Sequence, residues 1–268
     1  MPLPLRPIAY VLAATNHGNM ILNRHDYHEV PGGAFGVGAQ LMTQSCFDPD
    51  EVQLALQMLT LRRQLHGDGV FAIDGGANLG VHTIEWARHM HGWGRVMAFE
   101  AQEFVFYALA GNIAINNCWN ASARWMALGE RAGQIAVPEP DYQRPGSFGS
   151  LELRPRSGNE FIGQDVSYDA ADCVVTPMQS IDELAPERLD FLKLDIEGME
   201  LEALRGARAT IERHRPIMLV EAIKVDRTAL DAMLREMGYR VIPMGINLLA
   251  VHTGDPVLKR INIQAPSP

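Results

Sequence analysis

Asp74 closes the apolar run "VFAID", Glu100 closes "RVMAFE" and Asp195 closes "RLDFLKLD". An acid at the end of a buried strand is costly unless something there uses it. Such a carboxylate can accept hydrogen bonds from hydroxyls or take a proton. Gly75, Gly76, Ala77, Asn78 and Gly80 crowd the positions directly after Asp74. Small residues let backbone approach a ligand closely, and a helix that follows presents free N–H groups. This is the pattern of a nucleotide-like cofactor site, with Glu100 accepting from both ribose hydroxyls. Ala101, beside Glu100, and Ala127 and Leu128, at the end of "ARWMALG", extend the expected binding wall.

A second cluster reads "LKLDIEGME". Strand periodicity puts Lys193 and Asp195 on one face, so Asp195 should emerge beside the reactive end of the cofactor. Gly198 lets the chain turn, and Glu200 suits the positive end of the next helix. Transfer of a group to a hydroxyl needs alignment and a proton acceptor. Asp195 is the first candidate and Glu197 the second, provided burial raises the carboxyl pKa. Glu221, at the end of "PIMLVE", would orient one of them. The acids at 195, 197 and 221 could instead hold a divalent cation, which takes oxygen ligands. That alternative is not favoured, and no metal ligand is predicted. His82, in the first turn after the glycine run, is a third candidate base. His17, His25 and His28 in "NHGNMILNRHDYHEV" are weaker ones, because a lone histidine is more often packed or solvated.

The elements that must position these residues are legible from residue 70 onward. "VFAID", "RVMAFE", "ARWMALG", "RLDFLKLD" and "PIMLVEAI" read as strands separated by helical segments, which implies parallel pairing and right-handed crossovers. "YRVIPM" and "NLLAVH" flank a short turn and predict an antiparallel hairpin. The fold class is α/β: a doubly wound, mostly parallel, seven-stranded sheet closed by that hairpin. Before it, residues 1–69 form an arm of short strands and loops, then a helix with Asp48 as N-cap, Pro49 in the first turn and Gly67 at its end. Residues 130–172 have no helical period and read as a β-rich insertion, with "GQIAVPEP" set against "GSLELRP". Ser180 and Glu183 fit a capping box, and "GMELEALRGARATIERHR" reads as one helix.

A dinucleotide fingerprint, G-x-G-x-x-G, fits the turn poorly, since Asn78 and Val81 stand where glycines should. Asp74-x-Gly76-x-Asn78-x-Gly80 instead resembles the first motif of S-adenosylmethionine-dependent methyltransferases. From about Val70 to His252 the chain resembles the FkbM-type members of that class. The segments that carry this are "FAIDGGANLGVHTIEWA", "VMAFEAQEFVFYALAGNIAINN", "SIDEL", "LDFLKLDIEGMELEALRGA" and "IMLVEAI". The resemblance implies a Rossmann-like methyltransferase sheet, S-adenosylmethionine as cofactor and O-methylation of a hydroxyl, usually on a sugar or secondary metabolite. One departure is "FEA" where the family commonly has "FEP".

Composition narrows the alternatives. The net charge of −9 argues against a nucleic-acid or anionic-membrane partner, and no apolar stretch reaches membrane-spanning length. Cys46, Cys118 and Cys173 form no close pair and read as reduced thiols of a cytoplasmic protein. The expected partner is a small-molecule or glycan acceptor. The alternatives are an NAD(P)-dependent oxidoreductase, which the missing fingerprint disfavours, and a non-catalytic scaffold, which the retained acids disfavour.

Overall fold

The computed structural model describes residues 7–261. Its central sheet contains β1 (Val70–Gly75), β2 (Gly94–Glu100), β3 (Ala121–Trp125), β4 (Phe191–Leu194), β5 (Ile217–Glu221), β6 (Tyr239–Met244) and β7 (Asn247–His252). The strands lie in the order β6-β7-β5-β4-β1-β2-β3. All neighbours are parallel except β7, which runs antiparallel to β5 and β6. The doubly wound sheet with its closing hairpin is therefore as expected.

Alternation along the strands sorts the core into two layers. Phe71, Ile73, Leu192, Leu194, Met218 and Val220 pack with Leu204, Ile211, Leu230 and Leu234 on one face. These last four come from α6 (Glu200–Arg205), α7 (Arg208–His214) and α8 (Arg227–Glu236). Val70, Ala72, Phe191, Ile217 and Leu219 pack on the other face against Val52, Leu59, Ile84 and Trp86. Those belong to α2 (Pro49–His66) and α3 (Val81–His89), and Val105 and Ala108 of α4 (Glu103–Ile115) join them. Each buried Val, Leu, Ile, Phe or Met side chain among them contributes about 1.5–3 kcal/mol. The same parity puts Asp74, Lys193, Asp195 and Glu221 toward the α2/α3 face. Pairing of Lys193 with Asp74 and of Leu194 with Val220 then sets Asp195 and Glu221 one step past the ladder, on adjacent strands.

The arm folds into two hairpins, Tyr10–Thr15 with Gly18–Asn23 and His28–Val30 with Gly33–Phe35. Between the arm and α2 lies α1 (Val37–Gln44), a helix where short strands and loops are expected. Asp48 precedes α2 but sits in left-handed backbone and makes no cap bond; its carboxylate accepts instead from Gln40 at 3.3 Å.

Three other expectations are corrected. The third strand stops at Trp125, and Ala127–Leu128 leaves the main sheet to pair with Cys173–Gln179. Gly133–Pro138 also pairs with Cys173–Gln179, so the expected partner "GSLELRP" is not a strand. The helix after Asp195 breaks into α6 and α7 at Gly206, where a side chain would meet the Gly129 carbonyl at 2.2 Å. The capping box at Ser180 and Glu183 is present at the start of α5 (Ile181–Leu184). Among the described residues no helix is long and apolar enough to cross a membrane.

Candidate active site

The carboxyl ends of β1, β2, β4 and β5 open into a cleft of about 630 Å³, within the range of small-molecule sites. Gly76, Ala77, Asn78, Glu100, Ala101, Ala127, Leu128, Asp195, Glu197 and His82 line it, so most of the residues singled out from sequence converge. Asp74, Gly75 and Gly80 do not reach its surface. Asp74 is fully buried and accepts a hydrogen bond from Thr83 Oγ1 at 2.6 Å, which fixes the start of α3 beneath the turn.

The turn is built more tightly than ligand access alone would require. Gly76, Asn78 and Gly80 all have left-handed backbone. A side-chain carbon on Gly76 would lie 1.7 Å from the Asp195 carbonyl oxygen, so glycine lets the two halves of the site touch. The amides expected to be free are taken: Gly76 and Ala77 donate to the Phe99 carbonyl, and Asn78 donates to Glu100 Oε2. What remains for a ligand is the small-residue surface and Glu100. That carboxylate accepts only backbone N–H groups, from Asn78 at 3.0 Å and Gln102 at 2.8 Å, and keeps lone pairs for two hydroxyls. Burial pushes its pKa up to about 7.

Across the cleft, Lys193 Nζ donates to Asp195 Oδ2 at 2.8 Å. Burial alone would lower the lysine pKa, but Asp195, Glu51 and Asp74 raise it, so the amine is charged. Asp195 is the more open partner, its side chain 35% exposed against 4% for Lys193. Glu197 has left-handed backbone, and its Oε2 lies 2.5 Å from Lys224 Nζ, close but poorly aligned for a hydrogen bond. Burial, then Asp195 and Glu221, push Glu197 well above the usual carboxyl range despite Lys224. Glu221 is raised to about 8 by burial and Asp195, and Glu200 to about 7 by burial. Glu200 Oε1 also accepts from the Ile196 and Gly198 amides, confirming it as a turn-capping residue.

Residues 74–241 match the profile described as "Methyltransferase FkbM domain". The chain belongs to the FkbM methyltransferase family. It is 24% identical over 199 residues to "Methyltransferase sdnD" of Sordaria araneosa, a match covering 64% of this chain and 74% of that protein. It is 24% identical over 150 residues to "Methyltransferase 1" of Beauveria bassiana, covering 52% of this chain and 59% of that protein. A crystal structure of methyltransferase FkbM from Methylobacillus flagellatus aligns with a TM-score of 0.49 at 18% identity, covering 74% of this chain. The match spans 48% of that crystal chain.

Several groups that shape the site stand apart from the sequence motifs, and Glu51, Asn247 and Asp26 also lie outside the matched residues 74–241. Glu51, from α2, lines the cleft and lies 3.1 Å from His82 Nε2, again without good hydrogen-bond alignment. Asn247 Nδ2 donates to its other oxygen at 2.5 Å. Burial would raise Glu51, but His82, Lys193 and Asn247 together lower it to about 2. In sequence Glu51 looks only like an acid complementing a helix N-terminus. Lys224 donates to the Ser150 carbonyl at 2.7 Å and pairs with Glu160, tying the insertion to Glu197. Asp26 accepts from the Gly38 and Phe148 amides and joins arm to insertion. Neither residue carried a motif. His17, His25 and His28 lie outside the cleft lining. His17 is held by Glu85 and by the Phe47 amide, and His28 packs between Phe35 and Phe161.

The raised carboxyls of this FkbM methyltransferase make its stability depend on pH. Glu100, Glu200 and Glu221 keep protons in the folded state that they release on unfolding, so stability falls as pH rises through 7 to 8. His25, His66, His89 and His252 are lowered by burial and act in the opposite sense, but at lower pH. With a chelator present, the melting temperature of the ligand-free protein should drop between pH ~6.5 and ~8.5. A melting temperature that climbed over that interval would contradict the assigned burial of these acids.

Proposed function

We propose that the chain is an S-adenosylmethionine-dependent O-methyltransferase whose acceptor is a hydroxyl of a sugar in a glycan or glycosylated metabolite. The observation that carries the reading is the opposition, across one cleft, of the Gly76–Ala77–Asn78 turn with Glu100 to the carboxylates at the ends of β4 and β5. The first group suits the cofactor. Glu100 would accept from the ribose hydroxyls, Ala101, Ala127 and Leu128 would flank the base, and the turn would face the amino-acid portion. Bound there, S-adenosylmethionine supplies an electrophilic methyl group.

The second group suits the acceptor. Asp195, at the open side of its ion pair, takes the hydroxyl proton, with Glu197 and then His82 as the next candidates. Gln40, Gln44, Ser147, Ser150 and Glu160 add polar groups to the lining, as a polyhydroxylated acceptor requires. Residues 1–69 act as a lid, and 70–268 form the catalytic domain with its insertion. The unpaired cysteines suit the cytoplasm.

Calorimetric titration with S-adenosylhomocysteine and, in parallel, NADH tests the cofactor. Binding of the former alone is expected, and binding of NADH alone would point to an oxidoreductase. At pH ~8, above its raised pKa, Glu100→Gln removes an ionised acceptor, and hydrogen bonds to charged groups contribute about 1.5–3 kcal/mol each. S-adenosylhomocysteine affinity should therefore fall by ~10- to 100-fold. An unchanged dissociation constant would remove Glu100 from the site. A panel of glycosides and non-glycosylated alcohols then tests the acceptor class.

A further inference from the structure

Asp195, Glu197 and Glu221 each bring one carboxylate oxygen within 4.8 Å of the other two. Oxygens bound to a single cation at about 2.4 Å lie no more than about 4.8 Å apart. The three residues come from different segments, the end of β4, the turn after it and the end of β5, so the register of the sheet gathers them. Acids gather at many sites without an ion, and the two lysines already answer part of the charge here.

Glu221 distinguishes this cluster. It is only 7% exposed, yet its Oε2 is sealed from solvent and accepts no hydrogen bond. None of the ion pairs among the described residues includes it; Lys193 pairs with Asp195, and Lys224 with Glu197 and Glu160. Buried carboxylates are normally paired or bound to metal. Each lysine engages one oxygen, Oδ2 of Asp195 and Oε2 of Glu197, and leaves the opposite oxygen of each acid uncommitted. Outer partners that hold one oxygen of a carboxylate orient the other toward a metal. All three acids line the same cleft, so the side away from the sheet is open to substrate.

We propose that Asp195, Glu197 and Glu221 hold one divalent cation on the acceptor side of the cleft. An all-oxygen ligand set selects a hard ion such as Mg²⁺, Mn²⁺ or Ca²⁺ over zinc or copper. Such ions keep several positions for water and substrate oxygens. With the cation in place the oxygens of Asp195 and Glu197 would be committed, the acceptor hydroxyl would be acidified by binding the cation, and His82 would be the candidate left to take its proton; that part rests on the methyl-transfer reading, whereas the ion site does not.

Mn²⁺ is the probe. Full-length protein freed of metal with a chelator is titrated with MnCl₂, the free ion being followed by electron paramagnetic resonance. Binding of S-adenosylhomocysteine is measured on the same preparation. One Mn²⁺ per chain is expected, displaced by Mg²⁺ or Ca²⁺. Affinity for Mn²⁺ should be at least ~10-fold weaker in Glu221→Gln and in Glu197→Gln, while S-adenosylhomocysteine still binds. No stoichiometric uptake at ~1 mM Mn²⁺, or uptake unaltered in both variants, would overturn the site. Circular dichroism confirms that the variants fold, and two isosteric changes guard against one failing to do so. Mn²⁺ uptake without S-adenosylhomocysteine binding would leave the ion site standing and overturn the methyl-transfer reading, so the two fail separately.

Discussion

Replacing Gly76 with alanine should abolish measurable S-adenosylhomocysteine binding and lower the melting temperature by several degrees. The added carbon would sit 1.7 Å from the Asp195 carbonyl oxygen, a backbone atom that cannot swing away. It would also impose a side chain on a left-handed backbone with φ of +75°. Overpacking costs about 1–3 kcal/mol and an unfavourable dihedral about 1–3 kcal/mol more. A domain of this size loses ~2–4 °C per kcal/mol. Relief can come only by pushing the β1 turn away from the β4 turn, which spreads the cofactor surface away from Asp195. The control is Gly92→Ala, also at positive φ (+80°) but with nothing near its added carbon. It carries the backbone strain alone and should bind normally. Equal binding by Gly76→Ala and the wild type would show that the two turns move freely past each other.

Asp195→Asn should lower turnover by ~10²- to 10⁴-fold, the usual contribution of a positioned proton acceptor. S-adenosylhomocysteine should still bind. Asparagine is preferable to alanine because its carbonyl oxygen can still accept from Lys193, whose amine is buried and otherwise left to Glu51 and Asp74. The measurement is single-turnover methyl transfer to an acceptor identified from the glycoside panel, alongside calorimetry of the inhibitor. Full turnover by the variant would transfer the role to Glu197 or His82, and the corresponding Gln variants would then be compared.

Local patterns in the sequence disclosed what depends on one segment at a time. The strands were legible because β1, β4 and β5 are buried on both faces and read as apolar runs. Asp195 and Glu221 were legible as strand-end acids. That they meet in one crevice was legible as well; the register that sets them side by side on β4 and β5 was not. The insertion was misread for a related reason. "GQIAVPEP" and "GSLELRP" are close in sequence, but the segment that completes the pairing, Cys173–Gln179, lies beyond them both. Glu51 and Lys224 escaped notice because single acids and lysines are common on surfaces, and only tertiary packing brings these two to the cleft. Asp74 was read as a ligand contact and proved to lie beneath the surface, since a strand-end acid can serve the helix behind it as well as the cleft in front.

The pairing of Gly133–Pro138 with Cys173–Gln179 brings both ends of the insertion out side by side from one end of a strand pair in a small sheet. The segment between those ends leaves and returns at one place and the main sheet does not thread through it, but Phe148, Leu151, Leu153 and Ile162 are buried against the body of the protein. Doubling the length of such a loop costs only about 0.6 kcal/mol in closure entropy. Its exposed stretches can therefore be lengthened, shortened or exchanged between homologues with little penalty to the scaffold, as long as these buried side chains and the ties to the catalytic turn survive. Lys224 and the Asn78 contact at Gly149 are two of those ties. Divergence of acceptor choice on a constant methyl-transfer core would accumulate here first, and chimeras swapped at residues 139 and 172 are the natural way to move specificity from one relative to another.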